Sequence, residues 1–340
     1  MASWARSQPL APLTTIELGG PARWYYEARD EAALIDALRE ADRRRIPVCV
    51  LGGGSNVVFD DDGFDGLVLR VALDAERFEA DGTVCVGAGV PWWPFVERAV
   101  ARDFAGVECL AGIPGSAGAT PIQNVGAYGQ EVSEVVTAVR AYDREADRIV
   151  VFDAEGCAFG YRDSLFKRTA GRYVVLDVTF GLRPGGAPTV RYAELDRSLG
   201  DTPRTLVAVK DAVLALRRKK SMVIDPDDEN RRSVGSFFTN PIVDHTVAED
   251  IAKLHPNVPR YPAGEGRTKL SAAWLIENAG VERGTRGDGV GVSTKHTLAL
   301  VNLGDGSTAA LRALASRIQA RVREVFGVAL EPEARLIPRR

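Results

Sequence analysis

Hydrophobic positions follow helical spacing in some parts of this chain and strand-like runs in others. Residues 30–45 place apolar side chains three and four apart behind an Asp in the N-cap position, which predicts an amphipathic helix ending before Pro47. A second helix is predicted from Thr202, with Pro203 at its first position, to about Arg218. Valine-rich and aromatic runs predict strands at residues 46–51, 67–71, 132–142, 148–152 and 173–182, and a two-residue hairpin within 78–86.

The pattern changes after the charged stretch at residues 225–232. The elements predicted beyond it are a strand at 236–238, helices at 247–255 and 270–279, a strand at 297–302, a helix at 307–326 and a final strand at 328–337. This order differs from that of the preceding chain and indicates a separate α+β unit.

Composition indicates a soluble protein that acts on small molecules. The 340 residues are 45% hydrophobic and 26% charged, and the net charge of −3 provides no overall field that would attract nucleic acid or an anionic membrane. No apolar run is long enough to span a membrane, the first ten residues lack a signal-peptide core, and the four cysteines have no CxxC spacing. We therefore expect a cytoplasmic protein with buried, reduced thiols. Its three histidines lack metal-ligand spacing, so we expect no metal site.

Two glycine-rich, nearly uncharged segments are the strongest indication of a ligand. Residues 52–56, Gly-Gly-Gly-Ser-Asn, follow one predicted strand and precede strand-like residues, so they lack the helix of a dinucleotide-binding fingerprint and the lysine of a Walker loop; a tight β-turn is the structural alternative. Residues 112–129 form a longer loop, and a loop of this length with so little charge favours ligand contact. Because glycine lets backbone N–H groups approach phosphate, the two segments together suggest a dinucleotide cofactor.

Four further features carry side chains suited to catalysis or anion binding. Ser236 lies between a glycine and two phenylalanines, Arg162 lies in the run FGYRDS, and Glu331 and Glu333 are two apart in a predicted strand, hence on one face. Residues 217–220, Arg-Arg-Lys-Lys, end the second predicted helix. Each feature also has a purely structural explanation. Ser236 could be an ordinary strand residue, and Arg162 could be a surface arginine paired with the adjacent aspartate. The two glutamates could be solvated, and the basic run could be favoured only by the helix dipole.

Taken in order, these segments resemble the UDP-N-acetylenolpyruvoylglucosamine reductase (MurB) family, flavoenzymes that complete UDP-N-acetylmuramate for peptidoglycan. PIQNVGAYG, FGYRDS and GSFFTNP are highly specific in combination, and PIQN with the segment around Tyr192 is similar to the longer-chain subtype. The resembling segments are residues 51–58, 112–129, 159–166, 191–195, 235–241, 270–276 and 330–335.

The resemblance implies an α+β fold with a two-part FAD-binding domain of the vanillyl-alcohol-oxidase type and a smaller α+β substrate-binding domain. Residues 1–70 would form the first FAD-binding subdomain. Residues 71–222, together with the C-terminal strand 327–340, would form the second, and residues 223–326 would form the substrate-binding domain.

The resemblance also implies NADPH-dependent reduction of UDP-N-acetylglucosamine enolpyruvate to UDP-N-acetylmuramate through non-covalently bound FAD. Hydride would reach the terminal enolpyruvyl carbon, Arg162 and protonated Glu333 would stabilise the charge on the neighbouring carbon and its carboxylate, and Ser236 would donate the proton. The implied FAD-binding residues are Gly52, Gly53, Gly54, Ser55, Asn56, Gly115, Ser116, Gly118, Ala119, Asn124, Gly126, Ala127, Tyr128 and Arg335. The implied substrate-binding residues are Tyr192, Arg217, Lys220 and Asn240.

Three questions stay open at this point. The stretch between the basic run and Pro226 is two residues longer than in the family, so the phosphate-binding lysine is either Lys219 or Lys220. A flavin oxidase of the same fold is a rival reading, although residues 52–56 lack the histidine that commonly attaches flavin covalently in such oxidases. The other rival is a non-catalytic flavin- or nucleotide-binding protein, in which substitution of Ser236 would be silent.

Overall fold

The structure, a computed structural model, describes residues 4–339. Its helices and strands enclose three hydrophobic clusters, one centred on residues 28–216, one mainly on residues 234–334 and a small one near the N-terminus. The α-helices in these residues are α1 (Glu31–Arg43), α2 (Trp92–Ala101), α3 (Leu165–Arg168), α4 (Ala193–Leu199), α5 (Leu206–Lys219), α6 (His245–Leu254), α7 (Ala272–Asn278) and α8 (Thr308–Phe326).

The first sheet lies near the N-terminus and is mostly parallel. Its strands, in spatial order, are Ala5–Pro9, Pro21–Ala28, Phe64–Val71 and Val48–Leu51. Helix α1 packs on this sheet and buries Leu34 and Leu38 completely. The helix begins at the predicted N-cap, because the Asp30 carboxylate accepts a hydrogen bond from the N–H of Ala33 at 2.8 Å.

The second sheet is antiparallel and carries the largest cluster of aromatic side chains. Its strands, in spatial order, are Arg148–Asp153, Val136–Asp143, Tyr173–Gly181, Thr83–Gly87 and Glu76–Phe78. The Trp92 and Phe95 rings of α2 lie 5.7 and 5.4 Å from the Phe180 ring. The predicted hairpin is present, but residues 79–82 connect its strands instead of two residues, because the turn closes between Gly82 N–H and the carbonyl of Glu79.

The C-terminal unit contains two small sheets that pack with α6, α7 and α8. The strands of the first are Ser233–Ser236, Ala299–Asn302, Val290–Val292 and Arg286–Gly287, and those of the second are Ile242–Asp244, Arg267–Leu270 and Arg260–Pro262. Phe237 and Phe238 are buried in the core of this unit. The predicted helix at 307–326 is confirmed, since Ser307 caps α8 and Gly327 ends it in the left-handed conformation.

Three two-stranded sheets complete the fold. They pair Gly126–Ala127 with Gln130–Glu131, Phe104–Ala105 with Arg183–Pro184, and Val57–Phe59 with Arg335–Ile337. The last pair is parallel and places the end of the chain beside the residues that follow the first glycine cluster. This pairing brings the C-terminal glutamates close to that cluster.

The predicted strand at 328–337 is wrong over most of its length, because only Arg335–Ile337 pairs continuously with another strand. Glu331 and Glu333 therefore do not share one face of a regular strand. Glu331 is exposed, whereas the side chain of Glu333 is 15% exposed. Pro332 lacks an N–H and forms only an isolated bridge with Phe238, which explains why no regular ladder extends through this segment.

Several other boundaries differ from the predictions by a few residues, and three of the differences have local reasons. Helix α5 starts at Leu206 and not after Thr202, because it is Thr205 whose hydroxyl caps the helix. Residues 132–134 form a 3-10 turn before the strand that was expected from 132. The strand expected at 236–238 lies at Ser233–Ser236, because Phe237 and Phe238 turn inward to the core.

The cysteines lie where reduced thiols are expected. Cys49, Cys109 and Cys157 are buried and Cys85 is half-buried, and none of them forms a disulfide within residues 4–339. In the part of the chain that the structure describes, no helix combines the length and apolar character needed to cross a membrane. The predicted domain limits at residues 70, 222 and 327 stay predictions.

Candidate active site

The two glycine-rich segments lie directly against each other. A Cβ atom added to Gly53 would lie 2.7 Å from the Cα of Gly115, closer than real side chains approach a backbone. The hydroxyl of Ser55 also donates a hydrogen bond to the carbonyl of Pro114 at 3.2 Å. Gly53 is therefore needed for the packing of the two segments. Together they form a backbone-rich surface with almost no charged side chain, the predicted FAD cradle, which is the kind of surface that suits a phosphate-bearing ligand.

Gly118 is glycine for a reason other than ligand approach. A Cβ atom there would lie 2.4 Å from the Cβ of Ala88, and its N–H donates to the Ala88 carbonyl at 3.0 Å. Ser116 is buried, and Ala119 lies in the same 3-10 turn as Gly118. This turn therefore holds the second glycine segment in place from behind.

The loop that contains Asn124, Gly126, Ala127 and Tyr128 is held by its own polar groups. The Asn124 amide is buried and donates to Glu131 at 2.7 Å and to the carbonyl of Gly160 at 3.1 Å. Asn124 and Tyr128 both adopt positive φ angles, +45° and +49°, which non-glycine residues rarely do. Since the Asn124 side chain is engaged within the protein, its predicted contact with FAD would have to come from its backbone.

Arg162 and Glu333 form the central ion pair of the site. Arg162 Nε lies 3.1 Å from Glu333 Oε1, and the two side chains are 21% and 15% exposed. The guanidinium also donates to the carbonyl of Gly126 at 2.6 Å, while Lys167 Nζ donates to the Arg162 carbonyl at 2.6 Å. Arg162 itself has φ +52°, so several contacts hold a strained backbone in one conformation.

The pKa of Glu333 is higher than that of an exposed glutamate. Burial raises the pKa of this carboxyl, although the nearby charges of Arg162 and Lys167 act in the opposite direction. Gln123 Nε2 lies 3.4 Å from Glu333 Oε1. A carboxyl with a raised pKa, held by an arginine, is suited to donating a hydrogen bond or a proton.

Backbone contacts bring Ser236 to the same region. The N–H of Glu333 donates to the carbonyl of Phe237, the residue after Ser236, at 2.8 Å. The Asn56 amide, in the first glycine cluster, donates to the carbonyl of Glu333 at 3.2 Å, and the N–H of Arg335 donates to the carbonyl of Asn56 at 3.0 Å. The three predicted catalytic residues thus lie on segments that converge beside the predicted FAD cradle.

A second cluster contains the predicted substrate-binding residues Tyr192 and Lys220. The Tyr192 ring, 38% exposed, stands perpendicular to the Tyr128 ring at 5.5 Å. Lys220 Nζ lies 5.9 Å from the centre of the Tyr128 ring and 2.7 Å from Glu194 Oε2. Lys219, the other lysine of the pair, is exposed. The structure therefore associates Lys220, and not Lys219, with the two tyrosines.

Arg217 lies beneath this cluster. It donates to the carbonyl of Met222 at 2.5 Å, but its Nε is buried and has no hydrogen-bond partner within residues 4–339. Burial lowers the pKa of Arg217 to about 10, while the neighbouring Tyr128 acts in the opposite direction. A buried cation with an unused donor is a candidate anion ligand.

Tyr161 and Lys269 lie near Arg162 but were not predicted as site residues from the sequence. Lys269 Nζ lies 4.3 Å from the centre of the Tyr161 ring, and burial lowers the pKa of this lysine. Burial raises the pKa of Tyr161, whereas Arg162 and a hydrogen bond with Asn240 act in the opposite direction. Both could have been found from the sequence, because Tyr161 lies within the motif FGYRDS and Lys269 directly precedes the family-like segment 270–276.

The side chain of Asn240 holds the start of α7. Its side-chain oxygen accepts a hydrogen bond from the N–H of Ala272 at the start of α7, at 2.9 Å. Asn240 also forms the hydrogen bond with Tyr161. Asn240 therefore links α7 to the region around Arg162.

His296 lies close to Lys220 and should make stability depend on pH. Burial, and to a smaller extent the charge of Lys220, lower the pKa of His296 from 6.5 to about 4. Between these values the unfolded chain binds a proton that the folded protein does not, so stability falls as the pH is lowered. From pH 7 to pH 5 this one group should cost roughly 2 kcal/mol of unfolding free energy.

Urea unfolding of the wild type and His296→Gln at pH 7 and pH 5 measures this contribution. The substitution should reduce the loss of stability between the two pH values by roughly 2 kcal/mol. His245→Gln is the matched control, since the His245 side chain is 62% exposed. An equal pH dependence in wild type and His296→Gln would contradict the prediction.

Similarity to known proteins identifies the family of this chain. The profile of the UDP-N-acetylenolpyruvoylglucosamine reductase C-terminal domain matches residues 225–337, and that of an FAD binding domain matches residues 22–152. UDP-N-acetylenolpyruvoylglucosamine reductase of Thermobifida fusca (strain YX) is 50% identical over 98% of this chain and 98% of its own length. The chain belongs to the UDP-N-acetylenolpyruvoylglucosamine reductase family. The enzyme of that name from Streptomyces avermitilis is also 50% identical, over 96% of this chain and 92% of its own.

A solved member of the family has the same fold. The crystal structure of UDP-N-acetylenolpyruvylglucosamine reductase (MurB) from Thermus caldophilus superposes with a TM-score of 0.66 at 25% identity, and 99% of each chain is covered. The resemblance found in the sequence and the predicted α+β fold with an FAD-binding domain and a second domain are confirmed. The chain is an FAD-dependent oxidoreductase, a UDP-N-acetylenolpyruvoylglucosamine reductase by family.

Proposed function

We propose that this reductase takes reducing equivalents from NADPH and reduces UDP-N-acetylglucosamine enolpyruvate to UDP-N-acetylmuramate, a step of peptidoglycan precursor synthesis in the cytoplasm. The observation that carries the proposal is the Arg162–Glu333 pair, 3.1 Å apart, whose Glu333 is hydrogen-bonded through its backbone to Phe237, the residue after Ser236, and to Asn56 of the first glycine cluster. An arginine, a carboxyl with raised pKa and a hydroxyl are the groups that stabilising and protonating an enolate requires.

The touching glycine segments fit the pyrophosphate of FAD. It would lie against residues 52–56 and 115–119. Because the N–H groups of residues 117–119 already donate to the carbonyls of Val90, Ala88 and Ser116, the backbone N–H groups of residues 52–56, 115 and 116 would hold it. Bound FAD supplies the hydride chemistry. The predicted contributions of Asn124, Gly126, Ala127, Tyr128 and Arg335 belong to this part of the proposal, and the absence of histidine from residues 52–56 favours non-covalent attachment.

The side chains of the protein act on the enolpyruvyl group. As the terminal carbon gains hydride, negative charge develops on the adjacent carbon and its carboxylate. Arg162 pairs with that carboxylate, and Glu333 in its protonated form donates a hydrogen bond to it. Ser236 then transfers its hydroxyl proton to the adjacent carbon, a strong enough base to accept a proton from a weak acid.

The UDP group is held by the second cluster. Tyr192, Lys220 and Arg217, together with Asn240 from the region around Arg162, would contact the pyrophosphate and its surroundings, and the positive charges of Lys220 and Arg217 offset the net charge of −3 locally. Lys269 adds a further cation next to Tyr161. The substrate pyrophosphate would replace Glu194 as the partner of Lys220.

The test of the proposed function separates its two half-reactions. Purified protein should be yellow, and acid precipitation should release all the colour to the supernatant. Under anaerobic conditions NADPH should bleach the colour, and UDP-N-acetylglucosamine enolpyruvate should restore it. A bleached protein that is recoloured by oxygen but not by this substrate would contradict the proposal, and so would colour retained in the acid pellet.

Substitution of the two adjacent lysines should distinguish their roles. Lys220→Met should weaken binding of UDP-N-acetylglucosamine enolpyruvate about tenfold or more, because a hydrogen bond to a charged group is lost. FAD content should not change, since Lys220 lies at the tyrosine cluster and not at the glycine segments. Calorimetric titration of the oxidised enzyme measures the dissociation constant.

Lys219→Met is the matched control for this measurement. It removes the same charge from the adjacent, exposed position and should leave the dissociation constant close to that of the wild type. The prediction would be contradicted if Lys220→Met bound the substrate normally, or if both variants lost the same affinity. The basic run would then only stabilise the C-terminal end of α5.

A further inference from the structure

The carboxylate of Glu108 is completely buried, with 0% of the residue exposed, and the reaction does not use it. It lies in the short 3-10 helix Glu108–Leu110, just before the second glycine segment. No Lys, Arg or His side chain forms an ion pair with it within residues 4–339. A buried charge of this kind is costly and persists where several hydrogen bonds compensate for the lost water.

Three donors from three separate segments provide that compensation. Glu108 Oε2 accepts from the N–H of Gly106 at 2.7 Å, and Oε1 accepts from the N–H of Thr189 at 2.6 Å and from Gln130 Nε2 at 3.3 Å. Gln130 closes the network, because it also donates to the Thr189 hydroxyl at 3.2 Å and accepts from the N–H of Cys109 at 3.0 Å. The network therefore ties together residues 106–109, 130 and 189.

Two of these segments lead directly to the tyrosine pair. Gln130 follows Tyr128 in the small hairpin Gly126–Ala127/Gln130–Glu131, and Thr189 lies three residues before Tyr192. At Gly129 the two segments pack closely, since a Cβ there would lie 3.2 Å from the Cβ of Arg191 and 3.6 Å from the backbone nitrogen of Tyr192. The Tyr128 and Tyr192 rings, perpendicular and 5.5 Å apart, lie on the residues next to this contact.

We propose that Glu108 is a positioning residue for substrate binding, which holds the Tyr128 hairpin against the segment that carries Tyr192. The inference rests on the proposed function, because it assigns the tyrosine pair to the UDP-sugar. Only a carboxylate satisfies all three donors, since it has two acceptor oxygens and no hydrogen. A glutamine at position 108 would point an N–H group at one of these donors, so that at least one hydrogen bond of the network would be replaced by a contact between two donors.

Glu108→Gln should therefore weaken substrate binding and leave the flavin chemistry intact. The dissociation constant for UDP-N-acetylglucosamine enolpyruvate, from calorimetry of the oxidised enzyme, should rise about tenfold. FAD content and the rate of flavin reduction by NADPH should stay close to those of the wild type. Thr189→Val, which removes only the hydroxyl contact with Gln130, should give a smaller rise of about threefold and keeps the test usable if Glu108→Gln does not fold.

A double-mutant cycle with Tyr192→Phe separates positioning from a general loss of stability. If Glu108 acts through Tyr192, Glu108→Gln should add little to the loss of affinity that Tyr192→Phe already causes. Asp177→Asn is the matched control, because it alters another buried carboxylate of the same core, one that pairs with Arg140. It should lower stability without changing the dissociation constant.

Additive losses in the cycle, or normal binding by both Glu108→Gln and Thr189→Val, would overturn the proposal. These outcomes differ from a failure of the proposed function, in which the wild type itself would not bind UDP-N-acetylglucosamine enolpyruvate. An equal rise of the dissociation constant in Asp177→Asn would show that loss of stability, and not positioning, weakens binding.

Discussion

Ser236→Ala should still be reduced by NADPH at close to the wild-type rate, but its reoxidation by UDP-N-acetylglucosamine enolpyruvate should slow by roughly 10²–10⁴-fold, the usual effect of losing a general acid. The reason is that the hydroxyl acts only after hydride has reached the substrate. Anaerobic stopped-flow absorbance of the flavin follows the two half-reactions separately. Ser236→Cys should recover part of the second rate, because a thiol also donates a proton.

Ser233→Ala is the matched control for this prediction. Ser233 lies in the same strand, Ser233–Ser236, and its hydroxyl accepts a hydrogen bond from the N–H of Gly235. Its loss should change neither half-reaction strongly. If Ser236→Ala with FAD still bound is equally slow in both half-reactions, the serine shapes the site and does not donate the proton. Normal reoxidation would remove Ser236 from the mechanism.

Glu333→Gln should also slow only the second half-reaction, by roughly 10²-fold or more. The amide keeps a hydrogen-bond donor and an acceptor beside Arg162, but it lacks the acidic proton. Burial raises the pKa of Glu333, so the wild type holds this proton to higher pH than an exposed glutamate does. Reoxidation by the wild type should therefore slow as the pH rises through that pKa.

The pH profile provides the check on this assignment. The decline at high pH should be absent from Glu333→Gln, since the amide does not titrate in this range. Glu331→Gln is the matched control: Glu331 lies two residues earlier and is exposed, so its loss should leave both half-reactions and the pH profile unchanged. Retention of the same high-pH decline in Glu333→Gln would assign it to another group.

The sequence by itself determined the features that depend on residues close together along the chain. Helix α1 begins at Asp30 and α8 begins after Ser307, because a cap and the periodicity behind it lie within a few positions of each other. The glycine clusters and the motifs around Arg162 and Ser236 also identified the family, since each is a contiguous run. Where two local signals competed, as at Thr202 and Thr205, the prediction of the helix start was wrong.

Only the tertiary structure decided which of these residues act together. The contact of Gly53 with Gly115, the Arg162–Glu333 pair and the association of Lys220 with Tyr128 join residues far apart in the chain. The final strand was mispredicted for the same reason, because its length depends on pairing with Val57–Phe59. The burial that raises the pKa of Glu333 and the hydrogen bonds that hold Glu108 arise from segments packed against each other, and no local pattern of side chains encodes them.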